Sequence, residues 1–166
     1  LVKGLEFVRR DWAALAKKTQ EAVLGAILRE GSPKKAAEIV QRTTKDIYEG
    51  KVDLDDLVIY TQLKMPLGEY RAIGPHVAAA KRLKAKGREI EPGMTIAYIV
   101  TKGSGSISDR AIPVEDFEGM SYDPDYYVKH QVLPAVTRIM EVLGYGEDDL
   151  RYEKSKQVKL GKFMGG

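Results

Sequence analysis

No cysteine occurs among the 166 residues, which removes disulfides, thiol nucleophiles and thiolate metal sites together. Histidine is nearly as scarce, with only His76 and His130, and that argues against a His-rich zinc site. There is no run of about 18 or more uncharged apolar residues and no basic-then-apolar leader. The expectation is therefore a cytoplasmic protein with no membrane partner. G-x-x-x-x-G-K-[ST], H-E-x-x-H and G-x-S-x-G are all missing, so phosphate-loop NTPase, zincin and α/β-hydrolase readings lose their best support. What remains is binding, or carboxylate chemistry.

Apolar residues make up 43% and charged residues 31% of the chain, close to soluble globular averages, so a packed core is expected in place of disorder or a fibrous repeat. The length suits one domain or one large fragment, not a multidomain enzyme. Net charge is +3, but its distribution is uneven. Residues 64–110 hold 9 basic against 4 acidic groups, residues 111–150 hold 2 against 9, and residues 151–166 hold 5 against 1. A basic middle and tail beside an acidic segment can guide a polyanion to one face while the acidic part stays away from it. The alternative is that the charges only solvate exposed faces, since the pI of 8.9 lies just under the usual basic-domain footprint of about 9.

Asp11 is a good N-cap for a helix through Trp12, Leu15, Ala16, Thr19, Val23 and Ile27, stopping near Gly31. Ser32-Pro33 starts a second helix with Ala36, Val40, Thr43 and Ile47 inward and Gly50 as its end, the two forming a hairpin. Val58, Ile59 and Tyr60 favour a short strand, followed by an irregular connector at Pro66, Gly68 and Gly74. Gly74-Pro75 opens a third helix, Pro75 through Lys86, whose far half carries Lys81, Arg82, Lys84 and Lys86. A strand over Met94 to Val100 and a shorter one near Ala111 to Val114 flank a Gly/Ser turn, as a small hairpin-like tip. Asp123-Pro124 begins a long helix with Val128, Val132, Ala135, Ile139 and Leu143 inward, kinked by Pro134 and stopped at Gly144. The segment after Leu150 is polar and reads as an appended loose peptide.

The acid pairs Asp55-Asp56 and Asp148-Asp149 sit at short helix starts, where carboxylates complement the helix dipole, and adjacent residues on one turn do not supply a two-metal geometry. Arg9-Arg10-Asp11-Trp12 places two guanidiniums at a helix entrance, within reach of phosphate oxygens, with Asp11 orienting an arginine or capping the helix. A solvated surface pair plus a cap is the structural alternative. Gly74-Pro75-His76 combines a helix N-terminus, bare backbone and an imidazole, which suits an anionic oxygen, although a lone histidine is often structural. Lys64, Arg71 and Arg110 lie in irregular or tip segments, where a cation can grip phosphate without reading sequence. In the terminal peptide, Gln157, Leu160, Phe163 and Met164 are spaced so that one helical turn presents an apolar plug to a partner's pocket; folding back onto the chain's own domain is the alternative.

Gly4-Leu5-Glu6-Phe7-Val8-Arg9-Arg10-Asp11-Trp12 and Glu69-Tyr70-Arg71-Ala72-Ile73-Gly74-Pro75-His76-Val77-Ala78 resemble the thumb region of archaeal family B DNA polymerases. Ile107-Ser108-Asp109-Arg110-Ala111-Ile112, Tyr126-Tyr127 with Gln131-Val132-Leu133-Pro134-Ala135-Val136, and Asp149-Leu150-Arg151-Tyr152 resemble the same family in the same order, covering nearly the whole chain. The resemblance implies an α+β fold, a mainly helical thumb domain with a small β-containing tip. It implies a palm–thumb junction over 1–12, a DNA polymerase B thumb domain over 13–152, and a flexible C-terminal tail with a clamp-binding-like peptide over 153–166.

The family's palm aspartates, fingers lysine and exonuclease acids do not appear here, so the resemblance implies part of a DNA-directed DNA polymerase that is inactive alone. The chain holds no cofactor on this reading, Mg2+ being expected at the active site of a partner polypeptide. Partners implied are a polymerase large subunit (palm, fingers, exonuclease), primer-template DNA and a sliding clamp. A small subunit of a split polymerase is the expected origin, an excised fragment the other; Leu1 in place of methionine points to a trimmed beginning. Carried over by motif, Arg9, Arg10 and Asp11 match the segment near the primer strand. Lys64, Arg71, Gly74, Pro75, His76 and Arg110 match segments along the duplex, and Gln157, Leu160, Phe163 and Met164 match the clamp-binding anchors. Met65 and Gly68 depart from the pattern where relatives often carry basic or bulkier polar side chains. Two other classes are a non-catalytic module recruiting the clamp, and an independent Asp/Glu metal enzyme, for which no spacing argues.

Overall fold

The computed structural model describes residues 11–150. These divide into two compact units: residues 11–14 with Asp53–Tyr126, and Leu15–Val52 with residues 127–150. Residues 13–152, expected as the thumb domain, span both. The architecture is α+β, mostly helical with one small antiparallel sheet.

In the first unit, strands β1 (Ile59–Gln62), β2 (Thr95–Val100) and β3 (Ala111–Pro113) pair in the order β1-β2-β3. The expected two-strand tip thus becomes three strands, because Ile59 pairs with Tyr98 and Gln62 with Thr95 along the other edge of β2. β2 buries Ile96, Tyr98, Ile99 and Val100, as a central strand rich in β-branched and aromatic residues does. Helix α3 (Pro75–Ala85) lies against β2 and β3 through Val77, Ala79 and Ala80, all fully buried. Two methyl side chains on that face let the helix come close to the sheet. The link from β2 to β3 is closed by a reciprocal cap: Ser106 N–H donates to Asp109 Oδ2 at 3.0 Å and Asp109 N–H to Ser106 Oγ at 3.2 Å, the capping-box pattern with Asp in the acceptor role. A short helix, α4 (Pro124–Tyr126), ends this unit.

The second unit contains α1 (Ala14–Glu30), α2 (Pro33–Glu49), α5 (Leu133–Val142) and α6 (Glu147–Leu150). Ser32 caps α2, its Oγ accepting from Lys35 N–H at 3.1 Å, with Pro33 opening the first turn. Gly50 closes it at φ 73°, the left-handed conformation where a side chain is disfavoured. The buried face is Ala36, Ala37, Val40, Thr44 and Ile47, so Thr44 replaces the expected Thr43, which is half-buried. The 3.6-residue period allows either threonine at that turn.

Helix α1 begins at Ala14, two residues after Trp12, the expected first helical residue. Trp12 and Ala13 are buried outside it as part of the first unit, and Asp11 lines a groove described below. On α1 itself Gln20 and Ala26 are buried where Leu15 and Ile27 were expected. Gln20 is satisfied there, donating from Nε2 to the Ala135 carbonyl at 2.8 Å, as a buried amide requires.

The long helix expected from Asp123 to Leu143 is helical throughout 124–142, with a π-helical stretch over Tyr127–Val132 between α4 and α5. Pro134, in the first turn of α5, has no N–H for the preceding turn and its ring crowds the carbonyl four residues back; a wide i→i+5 turn relieves that conflict. Met140, not Ile139, is the fully buried residue of the following turn.

Ile47 is completely buried in α2. Ile47→Ala should lower stability by about 2–5 kcal/mol, read as a shifted midpoint in urea, whereas Thr43→Ala should stay within about 0.5 kcal/mol, as expected of a substitution outside the core.

Candidate nucleic-acid interface

In the first unit, the end of β1, the connector after it and the start of α3 enclose an open groove of about 690 Å3. Asp11, Tyr60, Lys64, Tyr70, Gly74, Pro75, His76, Tyr98 and Tyr126 are among its lining residues. Five expected site residues therefore meet in one place: Asp11, Lys64, Gly74, Pro75 and His76.

The local chain explains this convergence. The connector after β1 is held by the Lys64 N–H, which donates to the Tyr70 hydroxyl at 3.0 Å. The Tyr70 ring meets the His76 imidazole edge-on, with centroids 5.8 Å apart, a favoured aromatic geometry. The connector thus folds over the first turn of α3. Gly74 is the N-cap of that helix, and its carbonyl accepts from Ala78 N–H at 3.0 Å. No side chain caps the start, so the first-turn N–H groups of His76 and Val77 lack the usual capping acceptor and the dipole's positive end is left for an anion. A Cβ at Gly74 would sit 3.4 Å from the His76 ring, a close approach that glycine accommodates.

The groove's electrostatics are mixed. Lys64 is exposed and makes no ion pair among the described residues. Burial lowers the His76 imidazole below its ordinary value of 6.5, with the Asp11 carboxylate acting weakly the other way. The same carboxylate adds to burial in raising the Tyr98 phenol well above its usual range. At neutral pH the groove offers an ammonium, helix N–H donors, a neutral imidazole, phenols and one carboxylate. Those groups can hold a phosphate oxygen at the Gly74 end and a hydroxyl or guanidinium donor near Asp11.

Other expected residues lie elsewhere. Arg71 is exposed on the connector but does not line the groove. Arg110 is not a projecting tip cation. Its guanidinium pairs with the Asp123 carboxylate, with both side chains about 15% exposed, and Nη1 also donates to the Thr101 carbonyl at 2.9 Å. The Thr101 N–H and hydroxyl in turn donate to the Arg110 carbonyl. The arginine closes the base of the β2–β3 link, a task that spacing alone did not show because Asp123 is distant in sequence. Arg9, Arg10, Gln157, Leu160, Phe163 and Met164 lie outside the described residues. The acid pairs do fall on short helices, Asp55-Asp56 on a 3-10 turn over Leu54–Leu57 and Asp148-Asp149 on α6. No group of three or more His, Asp or Glu placed to hold a metal ion occurs among the described residues, and no helix there is long and apolar enough to cross a membrane. Sequence reasoning missed the phenols of Tyr70, Tyr98 and Tyr126; the signal for Tyr98 was its place in an otherwise apolar central strand.

The first unit sets a helix start without a side-chain cap beside an open groove that also holds Lys64, an arrangement whose chemistry suits an anion. The profile of DNA polymerase family B matches residues 1–143. The chain is 53% identical over 164 residues to a DNA polymerase of Thermococcus aggregans, a match covering 98% of this chain and 9% of that protein. It is 51% identical to a DNA polymerase of Thermococcus gorgonarius, covering 98% and 21%. Among solved structures, the family B DNA polymerase from the hyperthermophilic archaeon Pyrobaculum calidifontis superposes with a TM-score of 0.73 at 41% identity, covering 82% of this chain and 19% of that one. This chain belongs to DNA polymerase family B, and it spans about a tenth to a fifth of the length of these relatives.

The depressed His76 pKa has a sign. Between 6.5 and its lower folded value the unfolded chain binds more protons, so this contribution to stability is complete above 6.5 and is lost as pH falls through that window. Melting curves from pH 7.5 to 5.5 should therefore show a steeper loss for the natural chain than for His76→Gln; parallel curves would show that His76 is not linked to folding.

Proposed function

We propose that this chain is the thumb-bearing portion of a DNA-directed DNA polymerase that grips primer-template duplex and supports processive replication. Palm, fingers and exonuclease are assigned to another polypeptide or to the rest of a longer chain, with the metal chemistry of nucleotidyl transfer at the partner's acidic residues. The observation that carries this reading is the meeting of Lys64, the capless start of α3 at Gly74 and His76 in one groove, in a chain of family B.

The grip is electrostatic. Lys64 and the α3 amides donate to phosphate oxygens in the groove, and Arg71 contacts the backbone beside it. None of these groups presents a base-reading arrangement, so binding is insensitive to sequence. Asp11 repels phosphate and is suited instead to orient Arg9 or Arg10 near the primer strand. Arg110 acts through Asp123 and Thr101, holding the β2–β3 link. The terminal peptide with Gln157, Leu160, Phe163 and Met164 recruits a ring clamp, a role supported by its order of glutamine, aliphatic and aromatic residues.

If about four to six phosphates are neutralised, log affinity against log salt should have a slope of roughly −4 to −5, and Arg71→Gln should flatten it by about one for every duplex sequence. Primer extension should give long products only when this chain is mixed with a palm-and-fingers polypeptide; a mixture that extends no better than the partner alone would sink the grip reading. Phe163→Ala should abolish capture by an immobilised clamp, and undiminished capture would remove the clamp assignment.

A further inference from the structure

The cations of α3 and the residues after it differ in how they are used. Arg82 donates from Nη2 to the Asp109 carbonyl at 2.6 Å. Lys86 pairs with Asp116 and, at 3.3 Å, with Glu115. Arg88 pairs with Glu115 at 3.0 Å. These three charges are occupied in fastening the helix end to the chain on either side of β3. Lys81 and Lys84 are exposed and have no ion pair among the described residues.

Both lysines line a second open groove of about 400 Å3, together with Leu67, Gly68 and Ala85. Gly68 is exposed, with nothing within 4 Å of the position a Cβ would take, so a ligand can approach its backbone directly. Three-residue spacing sets the two ammonium groups side by side, where they repel in the absence of an anion. The two grooves share elements: residues 64–68 run from one to the other, and Gly74, Ala78, Lys81 and Ala85 follow the three- and four-residue steps of one helix face. From Gly74 to Lys81 is two turns, roughly 10.5 Å, and to Lys84 roughly 15 Å. A nucleic-acid strand carries a charge about every 3.4 Å of axis, so that face spans about three to four phosphates.

We infer that Lys81, Lys84 and the bare backbone at Gly68 form a second phosphodiester-binding groove, so that one face of α3 tracks a nucleic-acid strand from the Gly74 end onward. The inference rests on the duplex-grip reading and extends it to residues which that reading does not use. The track is selective for a polymer over a single anion, because its two ends lie a fixed two to three turns apart. Gly68, which has no side chain, leaves the groove open beside the two lysines.

The test is fluorescence anisotropy of a labelled duplex with the full chain, titrated at several salt concentrations. K81Q/K84Q should flatten the salt slope by roughly 1.8, from about 0.9 per phosphate, while K81R/K84R keeps it and the matched charge loss K34Q/K129Q leaves it alone. Gly68→Asp, which puts a carboxylate in the groove without altering α3, should weaken binding in the same way. An unchanged slope in both K81Q/K84Q and Gly68→Asp, or equal flattening by K34Q/K129Q, would overturn the second groove. In that event the grip reading survives if Arg71→Gln still flattens the slope by about one. A flat response of the natural chain itself would remove both.

Discussion

The close packing of α3 on the sheet governs everything else in the first unit. Val77, Ala79 and Ala80 are fully buried against β2 and β3, and the small size of the alanines sets how near the helix axis can come. Once that distance is set, the N-terminus of the helix is presented at Gly74 beside Lys64, Tyr70 and His76, and its exposed C-terminal half carries Lys81 and Lys84. A larger side chain at Ala79 or Ala80 would have to push the helix off a core already packed without space, which typically costs about 1–3 kcal/mol. It would also move the helix end away from the connector. The two grooves are in this sense a consequence of the tight apolar contact between the helix and the sheet.

Charge is arranged around the same helix. Counting along the chain, the basic middle and the acidic segment after it read as opposites, one to meet a polyanion and the other to stay clear. In three dimensions part of the acidic segment is instead a counterweight. Glu115 and Asp116 take up Lys86 and Arg88, and Asp123 takes up Arg110. Exposed pairs such as those of Lys86 contribute little to stability, but they settle which cations are matched within the protein. Lys64, Arg71, Lys81, Lys84 and Lys102 are left among the described residues as the positive groups of this region facing solvent. That division turns a diffuse excess of charge into a direction, from the capless start of α3 toward its basic end.

Secondary structure was largely legible because its signals are local. Ser32-Pro33 and Gly50 bound α2 within a residue of the expected limits, since a cap, a first-turn proline and a left-handed glycine act on their own neighbours. Gly74-Pro75 opened α3 for the same reason. The errors arose where distant residues compete with local preference. Trp12 and Ala13 are buried outside α1, which starts at Ala14. The helix expected through Pro134 runs on but carries a π-helical stretch just before it, since a missing donor can be relieved by widening the turn.

By itself the sequence determined the class of fold, the places where helices start and stop, and, through several ordered motifs, membership of DNA polymerase family B. It also placed Lys64, Gly74, Pro75 and His76 among the candidate residues, since helix-start chemistry and unpatterned cations can be read from near neighbours. Only the tertiary structure decided which of those residues share a groove, that β1 completes the sheet, and that Arg110 serves Asp123 while Lys81 and Lys84 face solvent. Those outcomes depend on pairings across tens of residues, where the partner of each charge is chosen by how the helix seats on the sheet and not by the order of the chain.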